Sequence, residues 1–205
     1  HWEYIVVNNS STDRSLEIAQ RYMRQDPRIR VYDNSEFLSA LANHNLALRK
    51  ISPESKYCKI IHADDWLFPE CLRRMVEVAE AYPSVGIVGS YRLDAVRVNL
   101  DGLPYPSTVV SGREVCRLTL LGRLFVFGSP SSLLFRSEII RRQGDFYDEA
   151  HPWADSEACY RVLRDWDFGF VHQVLTYTRR HSEAASSFSR AYNTYILARL
   201  VILYK

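Results

Sequence analysis

The 205 residues are 47% hydrophobic and 24% charged, enough to bury one globular core without disulfides or a structural metal, which excludes a small stapled scaffold. Twenty-six Lys and Arg against 24 Asp and Glu leave a formal charge of +2, scattered along the chain, so nucleic-acid binding has no electrostatic footprint. Eight Gly, eight Pro and 13% aromatic residues exclude low-complexity and disordered chains.

From the N-terminus, Tyr4-Ile5-Val6-Val7 is a short β-prone run broken by Asn8-Asn9-Ser10-Ser11. Residues 12–23 then carry Leu16, Ala19 and Met23 at helical spacing, so the pattern predicts a strand, a tight turn and a helix. Asp26-Pro27 ends that helix, and residues 28–32 alternate like a half-buried strand before Asp33-Asn34-Ser35 turns again. A second helix is expected over 38–50, a strand over 57–61, and a polar turn at His62-Ala63-Asp64-Asp65. The next helix, 69–82, opens on Pro69 and should bury Leu72, Met75, Val76 and Ala79; residues 85–89 form a further buried strand. Strands alternating with helices imply an α/β fold with a mostly parallel central sheet flanked by helices. The carboxyl ends of its strands then share one rim, on which Asn8-Asn9 and the 62–65 turn fall.

Beyond Tyr91 the pattern loosens. Residues 101–106 read as turn-rich, 113–121 as a helix, 132–135 as a strand, 137–143 and 154–164 as helices, and 168–171 with 175–178 as a hairpin or sheet edge. No repeat or linker divides the chain, so residues 1–205 are expected to form a single domain. Cys58, Cys71, Cys116 and Cys159 lie far apart with no C-x-x-C pair and no zinc-finger spacing, which fits a reduced cytosolic compartment. No apolar stretch reaches the roughly 18 to 20 residues needed to span a bilayer, so association with a membrane would be peripheral. The apolar run at 192–204 is expected to pack against further chain rather than lie on a lipid surface. An opening strand without neighbours and an end inside an apolar run suggest a piece of a longer protein.

Asp64-Asp65 after an apolar strand can hold a hard divalent cation while leaving water or phosphate oxygens in its other positions, although an isolated Asp-Asp pair is more often a solvated turn or a helix cap. Asp155 and Glu157 open a helix, where carboxylates favour the dipole; if Asp155 faces the Asp64 rim it can also act as a general base on an alcohol. His181, in Tyr177-Thr178-Arg179-Arg180-His181-Ser182, is a third candidate, with His44, His62, His151 and His172 behind it.

These residues carry a family resemblance. Y-I-V-V-N-N-S-S-T-D-R-S at 4–15 resembles the V-V-D-D-G-S-T-D segment of the family 2 glycosyltransferases, and H-A-D-D-W-L-F-P at 62–69 resembles their D-A-D-D-W-L-x-P segment. G-S-P-S-S-L-L-F-R at 128–136, G-D-F-Y-D-E at 144–149, A-D-S-E at 154–157 and Y-T-R-R-H-S at 177–182 follow in the order of that family's later landmarks. The resemblance implies a GT-A fold lacking its first strand-helix unit, with a nucleotide-binding half at 1–91 and an acceptor-binding half at 92–205. It implies inverting, metal-assisted transfer of a sugar, hexosyl in type, from a nucleotide-diphosphate sugar to a hydroxyl acceptor, saccharide or lipid-linked, such as a cell-envelope polysaccharide. It further implies a cytoplasmic protein, possibly peripheral at the inner face of the membrane.

Carried over by position, Asp155 is the catalytic base, Asp64 and His181 hold Mg²⁺ or Mn²⁺, and Asn8, Asn9, His62 and Asp65 contact the nucleotide sugar. Asn8-Asn9 stands where the family has Asp-Asp, His62 replaces the first aspartate of D-x-D, and Ala154 replaces the glutamate of an E-D pair. An Asn can still accept from a base imide N–H and can also donate. The absence of a Q-x-x-R-W segment favours single-sugar transfer over processive polymerisation. The competing reading is a non-catalytic nucleotide- or sugar-binding module on the same fold; nucleotidyltransferase chemistry would call for a Gly-rich triphosphate loop that the chain does not show.

Overall fold

A computed structural model of the chain describes residues 1–151 and 153–180; His181 and the apolar run at 192–204 lie outside the described residues. β1 (Tyr4–Asn8) and β2 (Ile29–Asp33) pair in parallel, from Tyr4 opposite Ile29 to Asn8 opposite Asp33, with α1 (Ser15–Gln25) as the crossover. α2 (Ala40–Leu48) follows, its first turn capped by the Ser39 side chain, which accepts from the Ala42 N–H. The remaining elements are β3 (Tyr57–Cys58), β4 (Trp66–Leu67), α3 (Cys71–Ala81), β5 (Val85–Asp94), β6 (Arg97–Asn99), β7 (Val109–Val110), α4 (Gly112–Leu120), β8 (Leu134–Arg136), α5 (Ser137–Arg141), α6 (Ala154–Leu163) and β9 (Asp167–Thr178).

The larger sheet has the order β3-β8-β5-β9-β4, with β6 on β5 and β7 on β9. Its longest pairing, β5 with β9, is parallel like β1 with β2, which is where the expected parallel character resides. The two- and three-residue strands join antiparallel, so the sheet is mixed: they belong to returning loops, which need no helical crossover. β5 is buried along nearly its whole length because helices cover both faces of the sheet. On one face Met75 and Ala79 of α3 meet Val85, Val88, Val171 and Leu175; on the other, Val115 of α4 and Ala158 and Val162 of α6 meet Ile87, Phe135 and Phe168.

Three expectations change. The segments at 168–171 and 175–178 are one strand, β9, central rather than at an edge. Its polar His172-Gln173 pair is a bulge, where the register with β5 slips from Ser90–Val171 to Tyr91–Val174. His172 needs no solvent turn there, since Nε2 donates to the Ser107 carbonyl (2.8 Å) and Nδ1 accepts from the Tyr91 hydroxyl (2.9 Å). The strand expected over 57–61 contributes only Tyr57 and Cys58 to the sheet. In α3 the buried stripe is Cys71, Met75 and Ala79, at i, i+4 and i+8, which turns Leu72 outward to 44% exposure.

One buried side chain ties the early part of the chain to the late part. Asn45, 1% exposed on α2, donates through Nδ2 to the Tyr147 carbonyl (2.8 Å) and accepts at Oδ1 from the Tyr147 N–H (2.9 Å). Asn45→Ala leaves both backbone groups without a partner, and at about 1–3 kcal/mol for each orphaned group it should lower stability by about 2–6 kcal/mol. Urea denaturation of the variant beside the parent measures this; a loss under about 1 kcal/mol would mean that water replaces the amide.

Candidate functional site

β4 pairs antiparallel with the end of β9, Trp66 opposite Tyr177, and so fixes the preceding 62–65 turn beside the carboxyl terminus of that strand. The turn closes with Asp65 N–H donating to the His62 carbonyl (3.1 Å). Arg179 N–H donates to Asp65 Oδ1 (3.2 Å), while Oδ2 of this side chain, only 2% exposed, has no hydrogen-bond partner. His62 Nδ1 lies 3.8 Å from that oxygen, and His62, Asp64 and Asp65 each bring one possible ligand atom within 4.8 Å of the others.

His62 is held from two sides. Its N–H donates to Ser131 Oγ (3.0 Å) on a 3-10 turn, Pro130–Ser132. That turn follows Gly128 at φ +67°, where a Cβ would meet Ser132 Oγ at 2.7 Å and Leu100 Cδ1 at 2.8 Å, so only glycine fits. The imidazole stacks on His44 of α2 with ring centroids 5.2 Å apart and planes 4° from parallel. Burial, assisted by the neighbouring His62, pushes His44 down to about 4, so this second ring is neutral at physiological pH.

Asp155 lies in the first turn of α6 and accepts from the Ser156 N–H (2.7 Å). Desolvation raises its pKa; the Ser156 and Asp155 N–H groups and then the charges of His62 and His151 pull it back. Asp155 shares a small recess with Tyr147, Cys159, Ser129 and Pro130, the last two adjoining the Ser131 that holds His62. His151, 3% exposed, accepts at Nδ1 from the Trp153 N–H (3.2 Å), and its buried Nε2 has no partner.

At the β1 end, Asn8 Nδ2 donates to Asp33 Oδ1 (2.7 Å). Asn9 accepts at Oδ1 from Asn34 Nδ2 (3.1 Å) and Leu38 N–H (2.9 Å), and donates from Nδ2 to the Leu38 carbonyl (2.9 Å). Its carbonyl oxygen is therefore committed to the protein, leaving one amide hydrogen for a ligand. Asn34 also donates to Asn43 Oδ1 (2.9 Å), and the next residue on α2 is the His44 that stacks on His62, so α2 links the two polar clusters that the sequence puts on one rim. Sequence reasoning missed Ser131, Asn45 and Tyr147; the G-S-P-S-S and G-D-F-Y-D-E landmarks hinted at Ser131 and Tyr147, and nothing in the sequence marked Asn45.

A family model, Glycosyl transferase family 2, matches residues 1–144. The chain belongs to glycosyl transferase family 2. This family 2 chain is 26% identical over 196 residues to EpsE of Bacillus subtilis (strain 168), which carries a glycosyltransferase name, covering 87% of this chain and 68% of EpsE. It is 32% identical over 77 residues to TuaG of the same organism, whose name places it in teichuronic acid biosynthesis, covering 38% of this chain and 30% of TuaG. Among solved structures, S. aureus TarS 1-349 in complex with UDP superposes at a TM-score of 0.69 with 16% identity, covering 88% of this chain and 52% of that one. The mannosyltransferase PcManGT from Pyrobaculum calidifontis, in complex with GDP-Man and Mn²⁺, superposes at 0.67 with 16% identity, covering 97% and 54%. The chain thus spans about half the length of these two solved chains, and the likeness fixes the fold as the GT-A type. No helix among the described residues is long and apolar enough to cross a membrane, and all four cysteines are free thiols.

The donors at 62, 64 and 65 suit a divalent cation: two carboxylates and an imidazole converge, with buried Asp65 Oδ2 and His62 Nε2 both lacking partners. Desolvation of Asp155 also gives a stability signature. Its raised folded-state pKa means that the protonated acid is favoured in the native protein, so its contribution is full below the usual carboxylate range and is lost as pH rises through the folded value. Asp155→Asn, which does not titrate, should therefore gain in melting temperature relative to the parent as pH rises above the usual carboxylate range of about pH 4. Parallel melting curves across that range check this, and a constant difference would show that the carboxyl is not desolvated.

Proposed function

We propose that the chain transfers a sugar from a nucleotide-diphosphate sugar to an acceptor hydroxyl with inversion, one sugar at a time. What supports this reading above all is the recess that Asp155 shares with Ser129 and Pro130, next to the Ser131 hydroxyl that holds His62 at the head of the 62–65 turn, which allows a base and a diphosphate grip to serve one reacting centre. Residues 1–91 would hold the nucleotide and 92–205 the acceptor. Asp64 and His181 are assigned, with Mg²⁺ or Mn²⁺, to the diphosphate; a bound cation there would offset charge on the leaving group. Asn8 and Asn9 hold the base end, Asn9 through its remaining amide hydrogen, and His62 and Asp65 line the path to the diphosphate.

As the acceptor oxygen attacks the anomeric carbon from the face opposite the diphosphate, the carbon–oxygen bond to the diphosphate breaks and its electron pair leaves with the phosphate oxygen. A sugar hydroxyl is too weak an acid to ionise first, so Asp155 takes its proton during the attack. A positioned base contributes about 10²- to 10⁴-fold in such a step. Desolvation of Asp155 helps, since a raised pKa makes its carboxylate a better proton acceptor near neutral pH. The UDP and GDP-Man complexes of TarS and PcManGT support a nucleotide-sugar donor, and the teichuronic acid name of TuaG supports a cell-envelope polysaccharide as the acceptor.

Nucleotide titration and single-turnover transfer assays across UDP- and GDP-sugars test the proposal. Asp155→Asn should cut transfer by about 10²- to 10⁴-fold with nucleotide affinity unchanged. Asp64→Ala should abolish metal-dependent nucleotide binding. Nucleotide binding with no transfer in any variant would instead identify a binding module.

A further inference from the structure

We infer that Trp66, stacked on Tyr177, heads a saccharide platform: the cross-strand row Trp66, Tyr177, Leu93 and Val98, which takes the carbon face of a neutral acceptor oligosaccharide. The inference rests on the transfer reading above and names where its acceptor lies.

Strand register builds the row. Trp66 of β4 is opposite Tyr177 of β9, Tyr177 is opposite Leu93 of β5, and Leu93 is opposite Val98 of β6. Residues in register project from one face of a sheet, so the four side chains lie next to one another across four adjacent strands. That face is the one α6 covers farther along. Tyr91 packs against the cluster that contains Ala158 and Val162 of α6, and Leu93, two residues on, points the same way, with Arg92 and Asp94 buried on the other side. The row therefore shares its side of the sheet with the helix that carries Asp155. It is also open: Trp66 is 53% and Val98 54% exposed, and the Trp66 and Tyr177 rings stack with centroids 4.4 Å apart and planes 17° from parallel. It begins beside the acidic turn, since Trp66 follows Asp65, which accepts from the Arg179 N–H two residues beyond Tyr177.

Size and charge choose the occupant. Tyr177 and Leu93 are half-buried, so the four side chains together expose on the order of 300 Å², well short of the about 800 Å² per partner that a stable protein interface needs. None of the four is ionised, which gives a phosphate or an anionic lipid nothing to pair with. A sugar ring matches both features. Its C–H groups carry slight positive charge and sit well on the negative face of an aromatic ring, while its hydroxyls can reach the Trp66 indole N–H and the Tyr177 hydroxyl. Three inter-strand steps of about 4.8 Å make the row about 14 Å long, which suits a short oligosaccharide better than one ring. Leu93 and Val98 then lie under the units farther from the turn.

The test titrates the chain with fluorescently labelled neutral tetrasaccharides of glucose, galactose, mannose and N-acetylglucosamine, and separately with UDP and GDP in the presence of Mn²⁺. At least one tetrasaccharide should bind the parent. Trp66→Ala should weaken that binding by about tenfold or more with nucleotide affinity unchanged, and Trp66→Phe, which keeps an aromatic face, should recover most of it. Equal saccharide binding by the parent and Trp66→Ala, or no binding of any of these sugars, would overturn the inference; nucleotide binding by the same samples would leave the transfer reading intact. Self-association of the parent that Trp66→Ala abolishes would give the row to a second copy of the chain and overturn the inference as well. Absence of both saccharide and nucleotide binding would overturn both readings.

Discussion

The parallel pairing of β5 with β9 is the constraint from which the rest of the site follows. Both strands are buried on both faces, Ile87 and Phe168 among one set of helices and Val88 and Val171 under the other, so neither can shift register without moving apolar side chains out of packed positions. Their carboxyl ends therefore stop at a fixed height. There β9 offers the Arg179 N–H to Asp65, β5 ends on Asp94, and β4 folds back against Tyr177 to hold the 62–65 turn in place. The same turn on a surface loop would lack that rigidity; here the sheet fixes the carboxylates before any ligand arrives.

α2 does a second job beyond covering β1. Three consecutive residues reach three parts of the molecule: Asn43 receives Asn34 from the β2 side, His44 stacks on His62, and Asn45 holds the backbone of Tyr147. Successive helical positions point about 100° apart, so one short stretch can contact the nucleotide end, the acidic turn and the approach to α6 at once. Among the described residues few other long-range polar ties of this kind are fully buried, which makes α2 the joint between the two halves of the proposed site.

The electrostatics of the site run against stability and toward chemistry. A desolvated Asp155, an unpartnered Asp65 oxygen, and orphaned ring nitrogens on His44, His62 and His151 are each unfavourable in a folded protein at rest. Of these, Asp65 and His62 share one turn, where a bound ligand can complete both. Ordinary surface pairs such as Arg14 with Glu17 and Arg117 with Glu114 contribute little by comparison.

Much of the fold was legible because hydrophobic period and turn chemistry are local. The first strand-helix-strand unit, the helix at α3, the buried strand at β5 and the helix opening at Asp155 all follow from spacing alone. What failed was not local in cause: His172-Gln173 has the composition of a turn and is a bulge because Tyr91 and Ser107, each more than sixty residues away, satisfy the ring. Leu72 faces outward because the sheet, not the periodicity, chose which of two adjacent stripes of α3 to cover. By itself, then, the sequence determined the alternation of elements, the family and the identity of the acidic residues at 64, 65 and 155. The tertiary structure alone decided that His44 lies on His62, that Ser131 and Arg179 hold the turn, and that Asn9 spends its carbonyl on the protein, since each depends on contacts between segments whose separation along the chain no periodicity records.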